Sequence, residues 1–470
     1  MSSYSIGKYT DPASSERTAP AASMAGTLVF LAGLFLSYQL STVGASPATI
    51  AQAAATPAGI ALLASLFFDS RRGLRNVFRA DVLCLVGLYF LTLTEFLFPQ
   101  PNFDQMLSAD QASKGIVVIL VGLGSLAIGR HLVAPTPMKA SWLNFGDISN
   151  QLLFRIFIGS AFLGFLYMLM SVNFDLVAMT NAMMNARFNQ PWGRGRLGGW
   201  LTFITELALL LNIIPPLTGV IWNRRKFFSK WQLYVVILIF LYTLFQGFAG
   251  GTRNVFISYL ATFLIGYLLT LPRNNFINTV IPTVLVMAIA VVGSYHMLEF
   301  RTIGLRNYVL DNVYESGTGR ETLAVDYNLA AIGVIADTFP EKHEFLGMEV
   351  LTWAIVKPIP RVLWSGKPEG LSVSIEEILG ATGWTVASTY LGECFMMGGY
   401  FAVIAVSLFF GAVAAWWNRL AMQRHSDYAM LVYAIGFLTA AITMRSMFWF
   451  TTMMLPVVGI IVLRRIGFLR

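Results

Sequence analysis

"INTVIPTVLVMAIAVVGSY", residues 277–295, contains nineteen residues without a single charged side chain. An α-helix rises about 1.5 Å per residue, so this stretch would extend about 28 Å as a helix. That length is close to the roughly 30 Å of hydrocarbon in a bilayer, where a helix satisfies its own backbone hydrogen bonds. The stretch therefore predicts a transmembrane helix.

Similar apolar stretches recur along the whole chain. Of its 470 residues, 56 % are hydrophobic and only 12 % are charged, whereas soluble domains carry about 25 % charged residues. We predict an all-α polytopic membrane protein, with residues 1–470 as a single integral membrane domain. About twelve transmembrane helices are expected, at 24–41, 50–68, 80–97, 115–132, 151–170, 200–221, 233–249, 255–271, 277–295, 397–417, 428–445 and 448–463.

Basic residues are concentrated in alternate connectors, namely 69–79, 223–230, 418–427 and the tail 463–470. By the positive-inside rule these connectors are cytoplasmic, and an even number of helices places both termini there too. The net charge of +8 is thus a topology signal, and nothing in the sequence indicates nucleic acid as a partner.

The same topology predicts a cytoplasmic polar tail over 1–23 and two large outer loops. The first loop is 171–199, and the main one is 296–396, between helices nine and ten. The motif "VGA" (43–45) would also fit a signal-peptide cleavage site, but the apolar run before it lacks a compact basic segment. We therefore expect the first helix to be retained.

Several function classes lack their sequence signatures. The chain has two cysteines and four histidines, with no HExxH motif, no P-loop and no GxGxxG motif. We therefore expect no metal site and no cofactor, and neither an ATP-driven pump nor a cytoplasmic nucleotide-sugar enzyme. The internal repeats of many transporters are also not evident.

Arginine is unexpectedly common on the predicted outer side. A single interfacial arginine ordinarily snorkels to lipid phosphates or pairs with an acid, but several converging arginines would form an anion site, since guanidinium binds phosphate bidentately. A lipid diphosphate head group lies at this depth. The arginines are Arg187, Arg194, Arg196, Arg253, Arg301, Arg306, Arg320, Arg361 and Arg445.

Three segments resemble the Wzy-type oligosaccharide repeat-unit polymerases of bacterial O-antigen, capsule and exopolysaccharide synthesis. "PIPRVLWSGKP" (358–368) resembles the P-R-x-x-W-x-x-K-P signature of that family. "STYLGECFMMGGYFAVIAVSLFFG" (388–411) is similar to its glycine-Glu segment entering the next span, and "GGTRNVF" (250–256) to its glycine-arginine hairpin. An Arg-x₁₀-Gly spacing described for some members occurs at Arg187 and at Arg306. The resemblance covers the layout of about residues 180–420.

The resemblance implies a GT-C-like enzyme in the bacterial cytoplasmic membrane. Such an enzyme joins polyprenyl-diphosphate-linked oligosaccharides at the outer face, inverts the anomeric bond without a metal, and releases lipid diphosphate. Flippase and chain-length regulator proteins of the same pathway are implied as partners, besides membrane lipid. A ligase that moves the glycan to another acceptor, and a polysaccharide or lipid-carrier transporter, are the alternatives.

Residue roles follow from this resemblance and from the chemistry of a leaving diphosphate. We expect catalytic roles for Arg361, Arg253 and Glu393, diphosphate binding by Arg301, Arg306, Lys367 and Arg187, and sugar stacking by Trp364 and Trp192. For a general base, Glu393, Asp326, His296 and His343 all remain open. Glu393 also fits a helix N-terminal acid, and the tryptophans also fit an interfacial belt.

Overall fold

The computed structural model of the chain describes residues 21–42, 46–136, 146–192, 202–271, 276–301, 303–310, 327–361, 363–373, 375–378, 387–421 and 427–467. These residues form α-helices joined by 3-10 turns and coil, and the described part of the chain contains no β-strand. Most of the predicted tail 1–23 lies outside the described residues, as do Arg194, Arg196, Arg320 and Asp326.

The α-helices, in chain order, are α1 Met24–Ser41, α2 Pro47–Ser70, α3 Ala80–Thr92, α4 Ala109–Gly129, α5 Asn150–Ser171, α6 Leu176–Met183, α7 Thr202–Glu206, α8 Ile214–Asn223, α9 Lys230–Ala249, α10 Arg253–Thr270, α11 Phe276–Phe300, α12 Leu305–Leu310, α13 Asn328–Thr338, α14 Met348–Val356, α15 Ile375–Ile378, α16 Thr389–Ala421, α17 Asp427–Arg445 and α18 Phe450–Arg465.

Serine caps start five of the long helices. Ser23, Ser46 and Ser149 accept a backbone N–H from the first turn of α1, α2 and α5. Ser108 and Ser229 form full capping boxes with the glutamine three residues later. Each cap satisfies a backbone donor that the helix cannot bond internally. These five helix starts are therefore encoded locally.

Eleven helical stretches in the described part of the chain are long and apolar enough to cross a membrane. This confirms the prediction of an all-helical, multi-pass membrane protein. The stretches are α1, α2, α4, α5, residues 204–223, α9, α10, α11, α16, α17 and α18. α17 is the most enclosed, with 78 % of its apolar window buried, whereas α11 is at the periphery with 11 %.

The expected third transmembrane helix, 80–97, is shorter than predicted. α3 has 13 residues, and the chain continues as a 3-10 turn over Thr94–Leu97. At the end of α3, the Nδ2 of Asn328 donates to the Leu91 carbonyl at 2.7 Å. The described part of the chain thus has eleven long apolar stretches, and α3 and α13 are shorter apolar helices.

α13 lies inside the segment predicted as the main outer loop, yet it is packed among the long helices. Its Leu329, Ile332 and Ile335 side chains are fully buried. α13 contacts α4 so closely that a Cβ on Gly115 would be 3.0 Å from the Gly333 Cα. The segment 296–396 is therefore partly built into the helical core.

A buried group of charged residues joins the ends of α2, α3 and α4. Arg79 donates to Asp69 at 3.0 Å and to Asp81 at 2.9 Å, and Arg130 donates to Asp69 at 3.2 Å. Asn418 of α16 adds a hydrogen bond to Asp81. All four charged side chains are at most 2 % exposed. Arg79, assigned to a basic connector by the sequence, is thus part of the buried core.

Candidate functional site

Backbone contacts bring three of the predicted arginines together at one end of the bundle. The backbone N–H of Arg306 donates to the Met184 carbonyl at 3.0 Å, and that of Arg187 donates to the Arg301 carbonyl at 3.5 Å. Gly304, with φ +89°, packs against the backbone just before Arg187, and a Cβ there would come within 2.6 Å of it. The first predicted outer loop is therefore held against the turn between α11 and α12.

The glycine-arginine hairpin between α9 and α10 meets the same turn. Gly251 has φ +62°, and a Cβ on it would be 3.3 Å from both Cα and Cγ of Arg301. Two residues later, Arg253 is the first residue of α10. A left-handed glycine permits this close approach, whereas another residue would be strained. We call Arg187, Arg253, Arg301 and Arg306 the arginine group.

The exposure of the arginine group suits contact with an anion. Arg306 is exposed, and the other three side chains are half-buried. Guanidinium groups keep their charge at any physiological pH and offer paired donors to phosphate oxygens. Three separate chain segments therefore bring these arginine residues to one region of the bundle, and the predicted anion site stays a prediction.

A second polar cluster, which we call the His296 group (His296, Glu299 and Tyr308), lies next to the arginine group. The Tyr308 hydroxyl donates to the Glu299 carboxylate. His296 Nδ1 lies 3.0 Å from that hydroxyl oxygen and 3.4 Å from Glu299 Oε2. His296 is one of the bases predicted from the sequence, whereas its partners Glu299 and Tyr308 are not. The His-x-x-Glu spacing at the end of an apolar helix, just before Arg301, is the signal that could have found Glu299.

Lys367 and Arg361 lie on a different segment, after α14. The Nζ of Lys367 donates to the carbonyls of Lys357 at 2.6 Å and Ile359 at 2.8 Å, and it lies 5.5 Å from the centre of the Trp353 ring. Burial, and secondarily the charge of Arg361, lowers the pKa of Lys367. Lys367 therefore binds carbonyls of the backbone that directly follows α14.

Arg361 is 52 % exposed and forms an ion pair with Glu369 at 3.0 Å. Glu369 is itself 90 % exposed, and an exposed pair of this kind is weak and easily exchanged. Arg361 is therefore accessible to an external anion. Its predicted catalytic role and the diphosphate-binding role of Lys367 stay predictions, and the geometry favours a structural role for Lys367.

Glu393 is fully enclosed at the start of α16. One carboxylate oxygen accepts from the Ser446 hydroxyl at 2.5 Å, and the other accepts from the Met447 backbone N–H at 2.7 Å. The residue is 3 % exposed. Both oxygens thus hold the junction between α17 and α18, and this arrangement favours a structural role over the predicted catalytic one.

The two predicted sugar-binding tryptophans differ in accessibility. Trp364 is 41 % exposed, so its ring can stack on a ligand. Trp192 is half-buried, and its ring N–H donates to Gln190 at 3.0 Å. Trp364 is therefore the better placed of the two for stacking.

An apolar cavity of about 200 Å³ lies among α3, α16, α17 and α18. Its lining includes Cys84, Phe410, Trp417 and Met444. It offers almost no polar surface, so it is unsuited to the anionic part of a substrate. Among the described residues, no group of three or more His, Cys, Asp or Glu side chains could hold a metal ion.

Comparison with known proteins adds one match. A family model of a domain of unknown function, DUF8712, matches residues 331–451. No curated protein matches the chain. No solved structure matches it either. The matched region includes Arg361, Lys367 and Glu393, whereas the arginine group and the His296 group precede it.

Proposed function

We propose that this protein is a membrane glycosyltransferase that joins polyprenyl-diphosphate-linked oligosaccharides into a surface polysaccharide. The observation that supports the proposal is the arginine group, in which three chain segments present cations at one end of the helical bundle. By the predicted topology this end faces outward from the bacterial cytoplasmic membrane. The resemblance of three segments to Wzy-type polymerases points to the same reaction.

The chemistry of this reaction explains why cations are needed. A polyprenyl diphosphate is both the carrier and the leaving group, so the donor is already activated without a nucleotide. Negative charge grows on the bridging oxygen as the anomeric carbon–oxygen bond breaks. Preorganised guanidinium groups would stabilise that charge, and bidentate donors would orient the diphosphate.

The roles within the proposed site follow from accessibility. Arg253, Arg301, Arg306 and Arg187 would contact the diphosphate, and the accessible Arg361 would serve as a further cation. Trp364 would stack on a sugar, since aromatic rings offer flat apolar faces. The partners are the lipid-linked oligosaccharides and, by the resemblance, the flippase and chain-length regulator of the same pathway.

Polymer formation by the purified protein tests the proposal. The assay uses a synthetic polyprenyl-diphosphate oligosaccharide with EDTA present. The wild-type protein should form polymer, and Arg253→Ala or Arg301→Ala should slow it by roughly ten- to a hundredfold, since a charge-assisted hydrogen bond contributes about 1.5–3 kcal/mol. Arg253→Lys should restore little activity because lysine lacks the planar fork.

Arg225→Ala is the matched control. Arg225 is exposed on a basic connector at the opposite end of the bundle and lies 5.6 Å from the Trp222 ring centre, so its loss should leave the rate unchanged. A wild-type protein that makes no polymer would refute the proposal. Transfer of the glycan to an acceptor without diphosphate would instead indicate a ligase, and a strict need for Mg²⁺ would move the leaving-group role to a metal.

A further inference from the structure

The hydrogen-bond pattern of the His296 group limits where its protons can be. Tyr308 has one hydroxyl proton, and it points to Glu299. The Tyr308 oxygen and Glu299 Oε2 are then both acceptors toward His296 Nδ1, at 3.0 and 3.4 Å. In the neutral ring, Nδ1 therefore carries the hydrogen, and Nε2 carries the lone pair.

The His296 side chain is partly exposed, so a ligand can approach it. The His296 side chain is 45 % exposed, and Glu299 is 32 % exposed. A carboxylate hydrogen-bonded to Nδ1–H holds the imidazole in one tautomer and stabilises the cation that forms when Nε2 takes a proton. His296 thus has the features of a general base, with Glu299 and Tyr308 behind it.

The location of His296 beside two of the arginines also favours a role as general base. Arg301 follows His296 by five residues, directly after the end of α11, and Arg306 precedes Tyr308 on α12. The proton acceptor and two of the four arginines are therefore on one segment of the chain, against which the Gly251 hairpin and the backbone of Arg187 are held. An acceptor sugar and a donor diphosphate bound here would be close together.

We infer that His296 is the general base that accepts the proton of the attacking sugar hydroxyl, with Glu299 and Tyr308 as positioning residues. This inference rests on the proposed function. The hydroxyl proton passes to Nε2 as the oxygen forms its bond to the anomeric carbon of the donor. The bond from that carbon to the diphosphate oxygen breaks, its electron pair leaves with polyprenyl diphosphate, and the imidazolium later returns the proton to water.

Initial rates on the synthetic lipid-diphosphate substrate test this role. Replacing His296 with glutamine, whose amide is not basic enough to accept a proton, should lower kcat by about 100-fold or more. His343→Gln alters the other histidine of the main outer segment considered as a base and should keep the wild-type rate. A low rate in His343→Gln, with His296→Gln at full rate, would overturn the inference.

Chemical rescue separates catalysis from folding. Free imidazole in the buffer should raise the rate of His296→Ala at least tenfold over its rate without imidazole, because a small base can enter the vacated, exposed position. A misfolded variant would gain nothing.

Glu299→Gln should lower kcat about tenfold and leave KM unchanged, and Glu299→Asp should recover part of that loss. A wild-type enzyme that polymerises normally while both His296 variants stay within twofold of it would refute this role alone. A wild-type protein without polymerase activity would refute the proposed function, and this role with it.

Discussion

Lys367 and Arg361 are six residues apart, and their surroundings differ in kind. Lys367 donates to two backbone carbonyls that follow α14, whereas Arg361 pairs with an exposed glutamate. Helix ends carry unsatisfied carbonyls, and a cation there stabilises the helix. At the scale of the residue, two charges of one sequence motif therefore have separable roles.

Substitution should separate these two roles. Lys367→Met removes two charge-assisted hydrogen bonds and should lower the melting temperature of the purified protein, by a loss of about 1.5–3 kcal/mol in stability. Arg361→Ala should leave the melting temperature nearly unchanged, because an exposed ion pair contributes little. It should nevertheless slow polymerisation by roughly ten- to a hundredfold if Arg361 contacts the diphosphate. If Lys367→Met instead keeps the wild-type melting temperature but polymerises slowly, Lys367 contacts the substrate.

α16 shows how an irregular element is held in place. Its helix is interrupted at Gly398 and Gly399, which leaves carbonyls without helical partners. The carbonyls of residues 396 and 397 accept from the backbone N–H groups of Leu346 and Gly347. Ahead of the break, Glu393 holds the junction between α17 and α18. The element thus connects the outer segment before α14 to the last two helices.

If Glu393 is structural, then its partner should matter as much as the carboxylate. Glu393→Ala and Ser446→Ala each leave a buried polar group without its partner, at a cost of about 1–3 kcal/mol. Both variants should melt at a lower temperature and keep the wild-type rate per folded molecule. The catalytic role predicted from the sequence would be favoured by a different result. In that case Glu393→Gln would keep the wild-type melting temperature but lose about a hundredfold in kcat, while Ser446→Ala would stay fully active.

At the scale of the whole molecule, the distribution of charge defines two ends. One end carries the arginine group, and the other carries the buried group of Asp69, Arg79 and Arg130 together with the basic connectors. The positive-inside rule assigns the second end to the cytoplasm. The proposed reaction depends on this orientation, because it would take place at the outer face of the membrane.

Cysteine labelling tests the orientation. In intact cells, a membrane-impermeant maleimide should label Ser365→Cys and should label Arg72→Cys only after permeabilisation. Both positions are exposed, and the native Cys84 and Cys394 are buried, which keeps background low. The opposite pattern would invert the protein and remove the arginine group from the outer face.

The sequence predicted those features that depend on one segment alone. The first helix begins and ends at the residues expected from its apolar run, since crossing a bilayer requires mainly length and hydropathy. The shortening of α3 and the burial of α13 depend on Asn328 and on glycine contacts between distant segments, which periodicity does not reveal. Likewise, the sequence indicated each arginine separately. The contact between Gly251 and Arg301, and the hydrogen bond from Tyr308 to Glu299, are visible only in the folded structure.

The buried charges at the ends of α2, α3 and α4 have a consequence for biogenesis. Asp69 and Arg79 are ten residues apart in the chain, and Arg130 follows Asp69 by 61 residues. Asn418, which binds Asp81, is synthesised 337 residues after Asp81. A nascent chain inserted as far as α4 already contains two arginines and two aspartates that neutralise one another. The first four helices can therefore pack together in the membrane before the rest of the chain is synthesised. α16 is inserted later and adds the hydrogen bond from Asn418.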